Sequence, residues 1–223
     1  MAIKAIIHDW DDTITNSFES YTQFYFDFGD FHKLGSPSLE KIRKHWGGTI
    51  PEIVNGVWPD LSPEAAEEKT GVFIETIKLW RKTYTATVFP RIKETILELD
   101  RLGVKLGIIS SGDSKQMKRI YKEQIDKTLR PYCFIYDNKE LGYKKPDARI
   151  FDKAFEKFKK YNIKEEETIY VGDSFQDYST AKNRGLKFYA VTTGLKTKSD
   201  FIREGLDSKY ILKDFNAVLK LFR

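Results

Sequence analysis

From about residue 87 onward the chain alternates short apolar runs with amphipathic stretches. Residues 91–102 carry apolar positions at helical spacing, and Val104-Lys105-Leu106-Gly107-Ile108-Ile109 is short and apolar enough to be a buried strand. The rhythm continues through a helix over residues 115–129, an apolar run over residues 132–136, and a helix carrying Ile150, Phe151, Ala154, Phe155 and Phe158. Thr168-Ile169-Tyr170-Val171 and Phe188-Tyr189-Ala190-Val191 complete it, and the opening run Ile3-Lys4-Ala5-Ile6-Ile7 belongs with these strands. Strand, helix, strand at this spacing predicts crossover units and a parallel sheet covered on both faces.

Residues 16–86 read differently, as helices and loops with no convincing strand. Ser38 is placed to cap a helix that stops at Gly47-Gly48, Thr49 and Glu52 have capping-box spacing, and Ser62-Pro63 fits a cap followed by proline at the first helical position. The expected architecture is therefore α/β: a Rossmann-like three-layer core from residues 1–15 and 87–223, discontinuous in sequence, with a small α-helical cap domain, 16–86, inserted between its first two strands. No internal repeat or low-complexity tract interrupts this reading.

Composition narrows the picture. With 223 residues, 40% hydrophobic and 14% aromatic, the chain can bury a full core. The net charge of +5 comes from lysines such as Lys153, Lys157, Lys159 and Lys160, interleaved with Glu156, Glu165, Glu166 and Glu167. That mixture describes solvated helix faces, so no nucleic-acid partner is expected, although small phosphate-bearing molecules would be drawn in. No apolar run reaches the roughly 18 residues of a membrane span, and no leader pattern precedes the first strand, so no membrane partner is expected. The single Cys133 lies in an apolar run and reads as a small buried thiol; a reducing cytoplasm is the expected location, for a monomer or homodimer.

The candidate chemistry stands at the strand ends. Asp9, Asp11 and Asp12 crowd one short stretch after the first strand, and carboxylates about 4 Å apart repel by ~1 kcal/mol even in water. Such crowding calls for a cation. Ser110-Ser111-Gly112 follow the second strand, Lys145 lies in a loop after the third, and Asp173-Ser174 follow the fourth. In an open parallel sheet, ligands bind outside the carboxyl ends of the strands, so these residues are expected to converge.

Four of these segments resemble the motifs of the haloacid-dehalogenase-like hydrolases, specifically the phosphatase branch with a helical cap after the first motif. They are Asp9-Trp10-Asp11-Asp12-Thr13, Ser110 ending Gly107-Ile108-Ile109-Ser110, Lys145 in Gly142-Tyr143-Lys144-Lys145-Pro146-Asp147, and Gly172-Asp173-Ser174-Phe175-Gln176-Asp177. The resemblance implies Asp9 as nucleophile, an aspartyl-phosphate intermediate, and Mg²⁺ held by Asp9, Asp173 and the backbone carbonyl of Asp11. Asp11 is the expected general acid and base. Lys145 supplies a fixed cation to nucleophile and phosphate, and Ser110 and Ser111 are the expected phosphate-binding pair. Thr13 and Asp177 are expected just behind the ligands, Asp177 as a metal-shell residue, as the partner of Lys145 or as a charge at a helix start. Ser110 has a competing role as a helix cap, one that Ser114 fits better, and Asp147 reads as a cap.

Two positions depart from the family pattern: Asp12 stands where Gly is usual, and His8 where an aromatic often precedes the nucleophile. Asp tolerates unusual backbone angles, so the turn need not break. Strand alternation points the His8 side chain away from that of Asp9, into local packing. The expected activity is Mg²⁺-dependent hydrolysis of a small phosphorylated metabolite. A phosphomutase of the β-phosphoglucomutase type keeps the same motifs; a 2-haloacid dehalogenase has no need of Asp11, and a non-catalytic binding protein would be expected to lose Asp9 or Asp173. In the cap, Tyr21, Phe24, Tyr25 and Phe28 read as core, and His45-Trp46-Gly47-Gly48 as a loop directed at substrate.

Overall fold

A computed structural model describes residues 2–222 and divides the chain into two compact units, Met1–Asn16 with Thr87–Arg223, and Ser17–Ala86. In chain order the elements are β1 (Ala5–His8), α1 (Ser17–Phe31), α2 (Leu39–His45), α3 (Ile50–Val57), α4 (Pro63–Thr83), α5 (Ile92–Arg101), β2 (Lys105–Ile109), α6 (Ser114–Gln124), β3 (Tyr132–Tyr136), α7 (Asn138–Leu141), α8 (Asp152–Lys159), β4 (Thr168–Gly172), α9 (Phe175–Arg184), β5 (Lys187–Val191), α10 (Lys198–Arg203) and β6 (Ile211–Leu212). A 3₁₀ helix, Phe215–Phe222, follows.

The first unit is a six-stranded parallel sheet in the order β3-β2-β1-β4-β5-β6, flanked by helices. Period-two alternation assigns its side chains to two faces. Ala5, Ile7, Phe134, Tyr170, Phe188 and Ala190 join Phe151, Phe155, Phe158 and Phe201 in one buried cluster. Gly107 makes room on that face: a Cβ there would stand 2.0 Å from the Phe134 ring. Next to it the register skips Cys133, pairing Leu106 with Tyr132 and Gly107 with Phe134, so the half-buried thiol sits at an irregularity of β3.

The order makes β1 a central strand, hydrogen-bonded to β2 on one side and β4 on the other, and it carries the first aspartate out at its carboxyl end. Three local readings of the sequence are corrected. The helix expected over residues 115–129 ends at Gln124, because the Asp126 carboxylate captures the Thr128 backbone N–H at 3.0 Å and its hydroxyl at 2.7 Å, closing a turn instead. That helix is capped by Asp113, which accepts from the Lys115 and Gln116 N–H groups, while the Ser114 N–H donates to Asp137 at 3.0 Å. The short β6 adds a sixth strand that the apolar pattern does not announce.

The second unit is helical, α1 to α4, and has its own aromatic core. Phe24, Tyr25, Phe28, Trp58 and Phe73 are buried together, Phe73 meeting Phe24 and Phe28 edge-on at 5.2 and 4.9 Å. Burying one such ring contributes about 1.5–3 kcal/mol relative to leaving it in water. Ser38 and Ser62 cap α2 and α4, and the Glu52 carboxylate returns to the Thr49 N–H at 2.7 Å at the start of α3. Trp46, from the loop read as substrate-facing, packs edge-on against Phe18 and Tyr21 at 5.2 and 5.5 Å. No helix among the described residues is long and apolar enough to cross a membrane.

Candidate active site

β1 ends at His8, and Asp9 continues the sheet by donating its N–H to the Val171 carbonyl at 2.9 Å. The chain then turns sharply: the N–H groups of Thr13, Ile14 and Thr15 all point at the Trp10 carbonyl, at 3.3, 2.9 and 3.3 Å. The turn needs a left-handed residue, and Asp12 supplies it with φ of 53°. That is the position where the family uses glycine, and the short polar side chain of Asp bears this conformation better than most. Asp12 is nevertheless buried, with its carbonyl held by the Thr193 hydroxyl at 2.6 Å.

His8 is fully buried beneath this turn. Its Nδ1 lies 2.6 Å from the Asp9 carbonyl, an acceptor, so Nδ1 carries the proton; Nε2 is then the acceptor for the Tyr132 hydroxyl, also at 2.6 Å. Burial lowers its pKa to about 4, which keeps the ring neutral. The side chain thus leaves the side of the strand that Asp9 faces yet bonds the Asp9 backbone.

Lys145 reaches the same place from the loop after α7, past a cis peptide bond to Pro146. Its Nζ lies 2.8 Å from Asp9 Oδ1 and 2.5 Å from Asp177 Oδ1, with all three side chains almost wholly removed from solvent. Asp177 is in the first turn of α9. Its Oδ1 also accepts from the Tyr170 hydroxyl at 2.7 Å, and its Oδ2 from the Ser174 N–H and hydroxyl at 3.1 and 2.5 Å. Every oxygen of Asp177 is therefore occupied by a protein donor, and of the three roles open to it from sequence, the geometry fits the partner that fixes Lys145.

Asp173 stands at the end of β4, and Thr13 Oγ1 donates to its Oδ1 at 3.4 Å, a long bond. Carboxylate oxygens of Asp9, Asp173 and Asp177 all lie within 4.8 Å of one another. Two glycines make this density of charge sterically feasible: a Cβ at Gly172 would stand 2.5 Å from the Asp177 carboxyl carbon, and one at Gly194 only 1.9 Å from Asp173 Oδ2. Thr193 and Gly194, after β5, are the site residues that motif reading missed, since a Thr-Gly pair carries no signal of its own.

Ser110 follows β2 directly, buried, with its Oγ accepting from the Gly112 N–H at 3.2 Å and its own proton available to a ligand. Ser111 is exposed on the same loop. A Cβ at Gly112 would be 3.0 Å from Asp11 Oδ2 and 3.5 Å from Ser110 Oγ, which places the half-buried Asp11 carboxylate beside the loop carrying Ser110. Asp147 is a cap, as read: it accepts from the Arg149 N–H at 2.9 Å.

The electrostatics decide what the cluster can hold. Burial pushes the Asp9 carboxyl up to about 7; Lys145 opposes this, and Asp177 and Asp11 add to it. Burial, together with Asp177, Asp9 and Asp12, also holds Asp173 well above the usual carboxylate range. For Lys145 burial works downward but is outweighed by Asp177 and Asp9, so the ammonium stays charged. With all three buried carboxylates ionised, one lysine would leave negative charge uncompensated, all of it on oxygen, and the raised Asp9 and Asp173 carboxyls express that cost. A hard divalent cation fits that donor set.

Gly194→Ala tests how tightly the site is built. The added methyl must displace the Asp173 carboxylate, and disturbing a metal site's immediate surroundings typically weakens the metal by about 10- to 100-fold. We expect a loss of that size in affinity for the divalent cation that the cluster would hold, read by calorimetry, with little change in melting temperature of the metal-free protein.

Comparison with known proteins agrees with this geometry. The sequence pattern that describes the haloacid dehalogenase-like hydrolases matches residues 6–191. The chain is 30% identical over 198 residues to a glyceraldehyde 3-phosphate phosphatase of Pyrococcus furiosus, covering 83% of this chain and 79% of that one. It is 25% identical to a phosphoglycolate phosphatase of Pseudomonas savastanoi pv. phaseolicola over 73% of this chain and 60% of the relative. Among solved structures, CbbY of Rhodobacter sphaeroides in complex with phosphate superposes with a TM-score of 0.68 at 17% identity, covering 97% of this chain and 96% of the other. A hydrolase of the same family from Streptococcus pneumoniae gives 0.75 at 21%, covering 99% of each.

Proposed function

The chain belongs to the haloacid dehalogenase-like hydrolases, in their phosphatase branch, and from that premise we propose that it is a Mg²⁺-dependent phosphomonoesterase working through an aspartyl-phosphate on Asp9. The observation that carries this reading is the buried cluster itself, three carboxylates and one lysine at the carboxyl end of a parallel sheet. The substrate class we infer from the relatives is a phosphate ester of a short carbon acid or aldehyde. Residues 17–86 are assigned the choice among such esters.

Asp9, Asp173 and the backbone carbonyl of Asp11 are the groups that would hold Mg²⁺. When bound, the ion neutralises charge between the attacking carboxylate and the anionic phosphoryl group. The remaining chemistry belongs to the side chains. Asp9 pairs with Lys145 through Oδ1, leaving Oδ2 to attack phosphorus; the new bond is O–P and the ester P–O bond breaks. Asp11 gives its proton to the departing oxygen, then takes one from the water that attacks the phosphoaspartate, releasing phosphate and restoring Asp9. Lys145, locked by Asp177, holds positive charge where the phosphoryl oxygens gather, and the Ser110 hydroxyl donates to one of them, with Ser111 alongside.

A panel of phosphomonoesters assayed with and without chelator tests the reading; activity that survives both a chelator and loss of the Asp9 carboxylate would overturn it. A second test needs no turnover. Because Asp9 titrates near 7 in the folded protein against an ordinary 3.8, the metal-free fold keeps a proton there that the unfolded chain has already lost. Its contribution to stability is therefore complete below about pH 4 and lost as pH rises to about 7. Mg²⁺ needs the ionised carboxylate, so its affinity should fall by up to about tenfold for each pH unit below 7. The melting-temperature gain on adding Mg²⁺ should be large at pH 8 and small at pH 5. An equal gain at both would remove Asp9 from the ligand set.

A further inference from the structure

A second concavity lies in the same unit, with none of Asp9, Asp173 and Asp177 in its lining. It encloses about 500 Å³ and is lined by Arg91, Thr193, Lys213, Asp214, Asn216 and Lys220, with an apolar side from Phe89 and Leu219. Its walls come from three places in the chain: the residues leading into α5, the loop after β5, and the segment after β6 with the final 3₁₀ helix. They are tied together. Asn216 donates to the Pro90 carbonyl at 3.1 Å and accepts from the Thr95 hydroxyl at 2.7 Å, which clamps the end of the chain to the start of α5. Arg91 is held in the left-handed region, φ 65°, a conformation unfavourable for a long side chain and kept only where the surroundings impose it.

The charge is one-sided. Arg91, Lys213 and Lys220 bring three cations, and none forms an ion pair with a carboxylate among the described residues. The one acid in the lining, Asp214, spends an oxygen on the Ala217 N–H at 3.1 Å. Three uncommitted cations around a cavity within the usual range for small ligands, with one apolar wall, match an anion carrying a compact organic body. The cavity also adjoins the catalytic turn, because Thr193 lines it and holds the Asp12 carbonyl at 2.6 Å.

We propose that this cavity is a second, non-catalytic site for a small phosphate-bearing anion, and that its occupancy is felt at the nucleophile turn through Thr193. It shares only Thr193 with the surroundings of the catalytic cluster, and its anion binding does not depend on the roles assigned there. Chemistry separates the two sites as well: the catalytic cluster is built of carboxylates around one lysine, whereas this cavity is lined by three cations.

The test is a titration of the full-length, ¹⁵N-labelled protein in the presence of EDTA, with inorganic phosphate and, separately, with phosphonoacetate. Saturable shifts are expected at the backbone amides of Thr193, Asn216 and Ala217, and at Asp12 beyond them. Tighter binding of phosphonoacetate would assign the cavity to an organic anion, and equal binding to free phosphate. Lys213→Gln combined with Lys220→Gln, two exposed positions outside the catalytic machinery, should weaken binding by at least about tenfold, equivalent to ~1.4 kcal/mol, with melting temperature and phosphatase activity unchanged. No saturable shift at those amides, or the same affinity in the double variant, overturns the site. Shifts confined to the cavity, with Asp12 unmoved, overturn the connection to the nucleophile turn.

Discussion

Asp9→Asn is expected to lower kcat for phosphate release by at least about 10⁴-fold, the scale on which removing a nucleophile acts when the rest of its machinery stays in place. The substitution is nearly isosteric, and an amide oxygen can take the place of Asp9 Oδ1, which lies 2.8 Å from the Lys145 ammonium. What disappears is the anionic oxygen proposed to bond phosphorus. The fold should not suffer. Burial already disfavours the charged form of Asp9, which titrates at about 7, so a neutral group at that place relieves repulsion from Asp177 and Asp11. The metal-free variant is therefore expected to melt at or above the wild-type temperature near pH 8. Stopped assays of inorganic phosphate against a phosphomonoester panel, alongside melting curves, give both readings. A stable variant that retains a tenth of the wild-type rate would leave Asp9 without a covalent role.

Asp11→Ala should separate the two chemical steps. A general acid contributes roughly 10²–10⁴ in rate, and most when the leaving oxygen is a poor one. An alkyl phosphate needs the proton from Asp11 and should lose the first step severely. An aryl phosphate, whose phenolate departs unaided, should lose it only mildly. The second step, in which the same carboxylate activates water, is impaired for both, so steady-state rates conceal the difference. Rapid mixing resolves it: the aryl ester should give a burst of phenol near one equivalent and then stall, with phosphate held on Asp9. The position of Asp11 suits this division, since its carboxylate lies beside the loop of Ser110 and Gly112 and is only half-buried, open to both an ester oxygen and a water. Equal loss of the first step for both esters would remove Asp11 from acid catalysis.

The parts of this architecture legible in the sequence are those where a long apolar run ends in a polar residue. Four of the six strands, β1, β2, β4 and β5, are almost wholly buried runs of four or five residues, and the polar groups just after three of them, Asp9, Ser110 and Asp173, follow from chain direction alone. β6 was not legible because two partly buried residues are too short to show any period. Local hydrogen bonding hid other details. Asp113 and Ser114 are both good caps by type, and the choice fell to Asp113 because Asp137, distant in sequence, takes the Ser114 N–H. Likewise Ile125 continues the helical period of α6, but Asp126 and Thr128 bind each other more readily than they continue a helix. The role of Thr193 was hidden for a different reason: its partner Asp12 lies at the other end of the chain, and such a contact leaves no mark on either local sequence.

The central place of β1 has a consequence for how the protein is made. Ala5 pairs with Lys105 on one flank and Thr168 on the other, so the strand bearing Asp9 leaves the ribosome before both of its neighbours and must wait for them. The helical unit that follows it is built from contacts within residues 17–86 and is free to form while the rest is still being translated. Until β4 emerges, Ala5-Ile6-Ile7 is an apolar segment with an unpaired edge, the kind of stretch that chaperones bind and that aggregates seed from. Delay between β2 and β4 during synthesis is therefore expected to lengthen the exposure of that edge.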